Sequence, residues 1–562
     1  MRPKDMAYEV ARCYIADQAV VVNPALVEKI LGFLRSRNLA GLATCSSHFD
    51  RALHSIEEFR FLRQVEAFFK KNADFAQPLE CAAEAKRSFD ECEANCSTTN
   101  NRLRQYVGNN QALPDEFRLH ILRMQRYIRN VLGEIEPFLD SLHDLVRVTP
   151  GATASRKREE SLPPLKMRLK LYATRRAHKY LKAIYAHYGF ENLRVKTTVT
   201  NRVEFVPKNW KTDRTIACEP EGNLPLQLAF DKYAKRKLKA VGIDLSNQSV
   251  NQQLALRASI DGRNATVDFK SASDTISYNA VALVFPEEWF AFLTDVRSPG
   301  YRLGAKGSQK HVYSKFSSMG NGTTFVIETL LFAAACWAVS QKKDFSVYGD
   351  DVILPVENFE SFQALTRFLG FTINSQKSYC EGPFRESCGG DFYGGVNVTP
   401  VYVRKIGKQN VYLCHLVNTV RELCIPGGEL AGLMSNIIRD FKLPVVPWNE
   451  STLSGVWITT RQAFVKKLIQ ERKRHRGIRK FKAYVPKSVD VEFPDSRGYY
   501  LWFLSKKTQV FFAGPWESAR AFRPTITSKV PVFTHEYVRK WVCWREPVTD
   551  MPGYLYWWPE QR

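Results

Sequence analysis

The chain has 562 residues, is 44% hydrophobic and 12% aromatic, and carries a net charge of +24 with a pI of about 9.5. That length and apolar content allow a sizeable core in several subdomains and exclude a disordered chain. The charge excess points to a polyanionic partner, the alternative being a merely soluble basic protein.

In chain order, the first stretch has acids within it and no long apolar run, so no secretory signal is expected. Residues 1–147 read as mostly helical, with helices expected over Ala25–Arg35, Ile56–Lys71 and Phe117–Leu132, and they hold no chemical motif. The twelve cysteines are scattered. Cys92 and Cys96 fall on one helical face with Cys81 upstream, but no histidine is close by. Reduced structural thiols are therefore expected. Arg147–Leu165, rich in Pro, Gly, Ser and charge, reads as an exposed loop. Between 151 and 200 there are twelve Lys and Arg against three acids. Lys166–Tyr188 is expected to be a basic helix, suited to a phosphate backbone or else a solvated face.

Residues 200–405 carry most of the chemistry. Lys208, Lys211 and Arg214 place three cations within seven residues. They suit the path of an incoming triphosphate, or a solvated hairpin. The apolar lead-in of Ala265–Asp268 predicts a strand ending near Asp268. Asp274 then falls at the start of the next element, where a carboxylate accepts a bond from a sugar hydroxyl or serves as a turn residue. Ser317–Glu328, with Gly320-Asn321-Gly322 and Thr324, predicts a close-approach loop before a helix N-terminus that favours phosphate. Asn321 and Thr324 offer hydrogen bonds to a sugar or to Asp274. Thr329–Val339 is too short to span a bilayer and reads as a buried helix.

Tyr348-Gly349-Asp350-Asp351 lies between two short apolar runs and predicts a hairpin with two acids at its tip. Their repulsion is relieved by divalent cations, and metal-held carboxylates are what phosphoryl transfer to a growing nucleic acid needs. Lys377, after a predicted helix, is placed to protonate a leaving pyrophosphate, or is a surface lysine. Beyond 405 another helical region is expected. There Lys466–Lys482 holds nine Lys and Arg and one acid. The last stretch from Tyr499 holds six of the eleven tryptophans. Trp541, Trp544, Trp557 and Trp558 suit stacking on RNA ends, or core and partner packing.

The order of these motifs is that of the palm motifs of template-dependent RNA polymerases. On VPKNWKTDRTIACEP (206–220), GIDLSNQSVNQ (242–252), ATVDFKSASDTIS (265–277), SSMGNGTTF (317–325), VYGDDVILP (347–355) and above all FRESCG (384–389), the chain resembles the catalytic subunit of the replicases of single-stranded RNA bacteriophages, the leviviruses. The resemblance is dense over 200–405. It implies an α+β right-hand polymerase of fingers, palm and thumb, with an antiparallel palm sheet and helical N- and C-terminal regions. The divisions expected are 1–147, a helical part of the fingers; 148–264, fingers with the basic NTP motif; 265–405, palm; and 406–562, thumb and C-terminal region.

The same resemblance implies that Asp268, Asp350 and Asp351 bind two Mg²⁺ ions, with Mn²⁺ as a substitute. Lys377 is the implied general acid, and Lys208, Lys211 and Arg214 hold NTP phosphates. Asp274, Asn321 and Thr324 recognise the ribose, and Phe384, Arg385, Glu386, Ser387 and Cys388 support the primer strand. The implied partners are an RNA template and product, NTPs, host elongation factors Tu and Ts and, in some members, a ribosomal protein. The implied place is the cytoplasm of the bacterial host, with no membrane. Two departures from the family pattern stand out: Phe269-Lys270 follows the first aspartate, and Asn397 sits between Val396 and Val398. A reverse transcriptase of the same fold and a non-catalytic RNA-binding protein are the rival functions.

Overall fold

The computed structural model describes residues 2–49, 54–149, 151–156, 170–187, 193–304, 309–448, 450–458, 470–471, 479–492 and 529–543. The architecture mixes helices with several small sheets, an α+β arrangement. Helices Pro24–Arg35, Ile56–Lys70 and Asp115–Leu132 form where the apolar spacing predicts them. Local chemistry fixes their starts. The Asn23 side chain accepts from the Ala25 N–H beside a proline in the first turn. Ser55 and Glu58 form a reciprocal capping box. In Asp115–Leu132 the buried stripe is Ile121, Met124, Ile128 and Val131, a helical repeat.

The cores cross the boundaries expected at 147, 264 and 405. Residues of helices Pro3–Gln18, Pro24–Arg35 and Ile56–Lys70 share one core with Asn410–Val420 and Glu429–Asp440. Helix Asp115–Leu132 joins a second, larger core with Thr324–Ser340 and the central strands. Thr324–Ser340 is buried along nearly its whole length, as the apolar run predicts. Among the described residues no helix is long and apolar enough to cross a membrane.

The central sheet is antiparallel and three-stranded. Asp351–Pro355 lies in the middle, flanked by Asn264–Val267 and Ser346–Tyr348. Val267 pairs with Val352, so Asp268 leaves its strand beside Asp351. Single bridges from Thr266 to Tyr379 and from Phe269 to Ile373 bring the chain around Lys377 against the same strand. A four-stranded sheet in the order Asp213–Cys218, Thr200–Pro207, Gly300–Leu303, Lys310–Val312 stands upstream. Phe384–Ser387, Gly390–Tyr393 and Val396–Asn397 form a further antiparallel sheet.

Two expectations are corrected. The single basic helix over 166–188 does not form. Lys170–Ala173 is a strand paired in parallel with Arg194–Thr197, and only His178–His187 is α-helical. Partners distant in sequence outweigh the local pattern there. Residues 157–169 and 188, with most of the loop expected over 147–165, lie outside the described residues. Beyond 405 the region is not simply helical: Arg479–Glu492 and Lys529–Cys543 are long antiparallel strands. Of the basic run Lys466–Lys482, residues 470–471 and 479–482 are strand and the others lie outside the described residues, as do Trp544, Trp557 and Trp558. Trp541 is on the second long strand, 44% exposed, with the Lys482 ammonium 5.3 Å from its ring centre.

Candidate active site

The hairpin that carries Asp350 and Asp351 is tight because Gly349 permits it. Its φ is +65°, and a Cβ there would sit 2.5 Å from the Phe325 ring. The Gly349 N–H donates to the Thr329 hydroxyl at 3.2 Å, tying the turn to the buried helix behind it. Asp351 is fixed through its carbonyl, which accepts from the Asn251 amide at 3.2 Å. The same amide reaches Ser387 Oγ at 3.3 Å, so Asn251 links the Asp350-Asp351 hairpin to the strand of the FRESCG segment.

Asp268 is gripped by the loop after residue 372. Its carbonyl accepts from the Asn374 N–H at 2.8 Å, and its own N–H donates to Ser378 Oγ at 3.0 Å. Its carboxylate Oδ2 accepts from Asn374 Nδ2 at 3.2 Å and pairs with Lys377 Nζ at 3.1 Å. Burial alone would lower Lys377, but Asp268 and Glu386 outweigh it and raise its pKa. Lys377 is therefore a firmly held cation at the carboxylates.

The acids are under electrostatic stress. Burial, then the charge of Asp268, pushes Asp350 up. Burial, then Asp350, pushes Asp351 up to about 7. Glu328, wholly buried behind them, is driven well above the usual carboxylate range by burial first and Asp350 second. Its Oε1 stands 3.4 Å from Ser273 Oγ. Such a set favours a divalent cation, whose charge offsets the repulsion. Among the described residues, no three His, Cys, Asp or Glu side chains are gathered to hold a metal. Like charges repel, and Lys377 draws Asp268 to itself. One or two carboxylates with substrate phosphates still suit Mg²⁺, which keeps much of its water and needs no all-protein cage.

The remaining predicted residues divide. Strand pairing of Val206 with Arg214 puts Lys208 and Arg214 at the turn end of one hairpin. Lys208 is lowered by desolvation first and by Arg214 and Lys377 next, with Asp268 and Asp350 opposing. It thus shares a field with Asp268 and Asp350. Lys211 packs over the Trp210 ring at 5.0 Å, and no described contact ties it to the aspartates. Asn321 is buried and its Oδ1 accepts from the Thr323 N–H and hydroxyl, a local turn just ahead of the 324–340 helix. Thr324 Oγ1 donates to the Ser318 carbonyl at 2.7 Å. Neither meets Asp274, whose carboxylate partner is Lys315 at 2.8 Å. The loop lies close on the four-stranded sheet because Gly320 has φ +106° and a Cβ would be 2.3 Å from the Ala217 carbonyl.

Arg385 is corrected as an RNA-facing group. Its side chain is fully buried and donates to the carbonyls of Asn264, Gly382 and Phe384, each at 2.8 Å, and of Glu381 at 3.2 Å. Ser387 is also buried, Cys388 is nearly so with φ +50°, and Phe384 and Glu386 alternate to the half-buried face. Phe384 packs against Phe59 and Tyr379. Burial and Asp391 raise Glu386. The departures are benign: Phe269 is buried, stacked on Phe332 with centroids 4.1 Å apart, and Lys270 is exposed. Sequence reasoning assigned no role to Asn251, Asn374, Ser378 or Lys315, although Asn251 falls within GIDLSNQSVNQ and Asn374 and Ser378 flank Lys377.

Residues 13–432, well over half of the chain, match the family model described as RNA replicase, beta-chain. The RNA-directed RNA polymerase subunit beta of Escherichia virus Qbeta is 37% identical over 369 residues, 64% of this chain and 62% of that protein. The protein of the same description from Enterobacteria phage SP is 39% identical over 336 residues, 58% of each chain. The RNA-directed RNA polymerase beta chain of Escherichia phage MS2 is 33% identical over 323 residues, 54% of this chain and 58% of that one. The match spans about three-fifths of the length of these relatives. A crystal structure of the RNA-dependent RNA polymerase of a human picorbirnavirus aligns with 43% of this chain and 60% of that one at 13% identity and a TM-score of 0.29, too slight a likeness to argue from.

Proposed function

The chain belongs to the RNA replicase beta-chain family, and we propose that it is an RNA-directed RNA polymerase that copies single-stranded RNA from NTPs. The observation that carries this reading is the adjacency of Asp268 to the Asp350-Asp351 turn across two paired strands, with Lys377 bonded to Asp268. The fold assignment that goes with it is a right hand whose palm is the central sheet.

Asp268 and Asp350, assisted by Asp351, would hold Mg²⁺, and the all-oxygen set suits that ion over softer metals. When bound, the metal supplies activation of the primer 3′-hydroxyl and neutralisation of the triphosphate. The chain's own groups do the rest. Lys208 and Arg214 meet phosphate charge at the turn end of their hairpin. Lys377 holds a proton at Nζ for the leaving pyrophosphate. Asp274 accepts a hydrogen bond from the ribose. Arg385 holds the strand before Asp268 through the Asn264 carbonyl.

The proposed setting is the cytoplasm of a bacterial host. Elongation factors Tu and Ts, and a ribosomal protein in some members, are proposed partners on family grounds. The test is Mg²⁺-dependent NTP incorporation on a defined RNA by the full chain together with the proteins that copurify from bacterial lysate. Asp350→Asn is expected to abolish incorporation and leave RNA binding within about threefold. Near-normal incorporation by Asp350→Asn would sink the assignment.

A further inference from the structure

Among the described residues Lys315 is the one lysine whose side chain is fully buried. Its ammonium donates to Asp274 Oδ1 at 2.8 Å and stands 3.6 Å from Glu93 Oε1. It also lies over the face of Phe89, 3.8 Å from the ring centre. The trio joins three distant segments: the long helix Pro78–Leu103, the turn after Asp268, and the chain leading into the Gly320-Asn321-Gly322 loop.

The ammonium is held in place through its backbone. Arg297 donates to the Lys315 carbonyl at 2.9 Å and to the Phe316 carbonyl at 2.7 Å. The Phe316 N–H donates to the Ile276 carbonyl at 2.7 Å, and the Ser314 N–H donates to Glu93 Oε2 at 2.7 Å. On the other side, Cys96 Sγ donates to the Asp274 carbonyl at 3.6 Å. Both partners are thus fixed before any ligand arrives.

Lys315 takes one carboxylate oxygen of Asp274. The other, Oδ2, has no partner among the described residues, and a fifth of the side chain is open to solvent. The pair is therefore asymmetric, with a dry cation on one side and an available acceptor on the other. Packing alone does not call for this. A buried charge is costly, and an apolar side chain of like length would fill the space at lower cost. Burial also raises Glu93 despite the nearby ammonium, which leaves Asp274 as the principal partner of Lys315.

We propose that Lys315 is a positioning residue for sugar discrimination: it holds Asp274 so that the free oxygen accepts a hydrogen bond from the 2′-hydroxyl of the incoming nucleotide. The inference rests on the polymerase reading above. It also gives helix Pro78–Leu103, which carries no motif, a part in nucleotide choice through Glu93, Cys96 and Phe89.

The experiment compares kcat/KM for an NTP and its 2′-deoxy counterpart, using the full chain with its copurifying proteins. Lys315→Met is expected to lower the ribo-to-deoxy ratio by roughly tenfold or more, the scale of one charge-assisted hydrogen bond. The loss should come as a higher KM for the ribonucleotide, with the deoxynucleotide constants little changed. Asp274→Ala should lose as much, and the double variant no more. Lys315→Arg should restore part of the ratio. Should Lys315→Met fail to fold, Glu93→Gln with Lys315→Met keeps the net charge of the trio and is expected to show the same loss. If the variants slow both nucleotides equally and keep the wild-type ratio, Lys315 serves folding alone and the inference is overturned, with the polymerase reading intact. No incorporation by the wild-type chain would overturn that reading itself.

Discussion

Replacing Arg385 by methionine separates a structural staple from an RNA contact. The guanidinium donates three hydrogen bonds of 2.8 Å, to the Asn264, Gly382 and Phe384 carbonyls, and weaker ones to Glu381 at 3.2 Å and Cys380 at 3.3 Å. At a net ~1 kcal/mol for each of the three short bonds, the loss is ~3 kcal/mol. Methionine keeps the apolar stem and relieves the cost of a buried cation, which burial already lowers in pKa. The two corrections to the sum therefore oppose each other: stranded carbonyls add to the loss, and the removed charge subtracts from it. The Asn264 carbonyl begins the strand that delivers Asp268, so the damage should be local to 264–268 and 380–393. Hydrogen exchange reads this directly. Amides of those two segments should exchange about a hundredfold faster in Arg385→Met, while the Pro3–Gln18 helix is unaffected. Unchanged exchange together with weakened RNA binding would refute the staple and return Arg385 to the RNA surface.

Three further outcomes follow from the same geometry. Asp351 is held near 7 by burial and by Asp350, so its folded-state pKa lies above the ordinary value. The folded chain then binds the extra proton between the two values, and without divalent cations stability should fall as pH rises from about 4 to 7. Asp351→Asn should flatten that fall in Tm, and Mg²⁺ affinity in the wild type should climb over the upper part of the range, read by calorimetry. A Tm that rises over this range and an affinity that ignores pH would contradict the assignment. Phe269→Ala should cost ~3–5 kcal/mol through the lost stack on Phe332, without altering the ratio of NTP to dNTP use. A changed ratio would put the ring at the sugar and revive the reverse-transcriptase alternative. Gly349→Ala places a Cβ 2.5 Å from the Phe325 ring at positive φ, and should cost ~1–3 kcal/mol with incorporation falling in step. Full activity at unchanged Tm would show that the turn tolerates rearrangement.

The Asp350-Asp351 hairpin was legible because its signals are local. Two apolar runs around Gly349-Asp350 permit one tight turn, and the apolar lead-in to Asp268 permits one strand. The helices at 24, 56 and 115 were legible for the same reason, since caps and apolar spacing are written within each segment. Three other features depend on partners far away in sequence. The 170–173 strand exists because residues 194–197 lie beside it, and no periodicity in 166–188 announces that. Arg385 looks like a surface cation beside Glu386, and the bond to the distant Asn264 carbonyl, added to four local ones, makes it a core residue. Lys315 sits among aromatic residues in sequence, and its role depends on Asp274 and on Glu93, more than 200 residues upstream of it. Asn321 shows the converse. A polar side chain in a Gly-rich loop suggested sugar recognition, and in the fold its Oδ1 is bonded to the Thr323 N–H and hydroxyl two residues on.

The most direct measurement is an anomalous-scattering map from crystals grown with Mn²⁺, RNA and a non-hydrolysable NTP. The account predicts metal peaks bonded to the carboxylates of Asp268 and Asp350, with Lys377 moved from Asp268 towards the phosphates. Density that leaves both carboxylates bare, with the Lys377–Asp268 pair intact beneath a bound nucleotide, would contradict it.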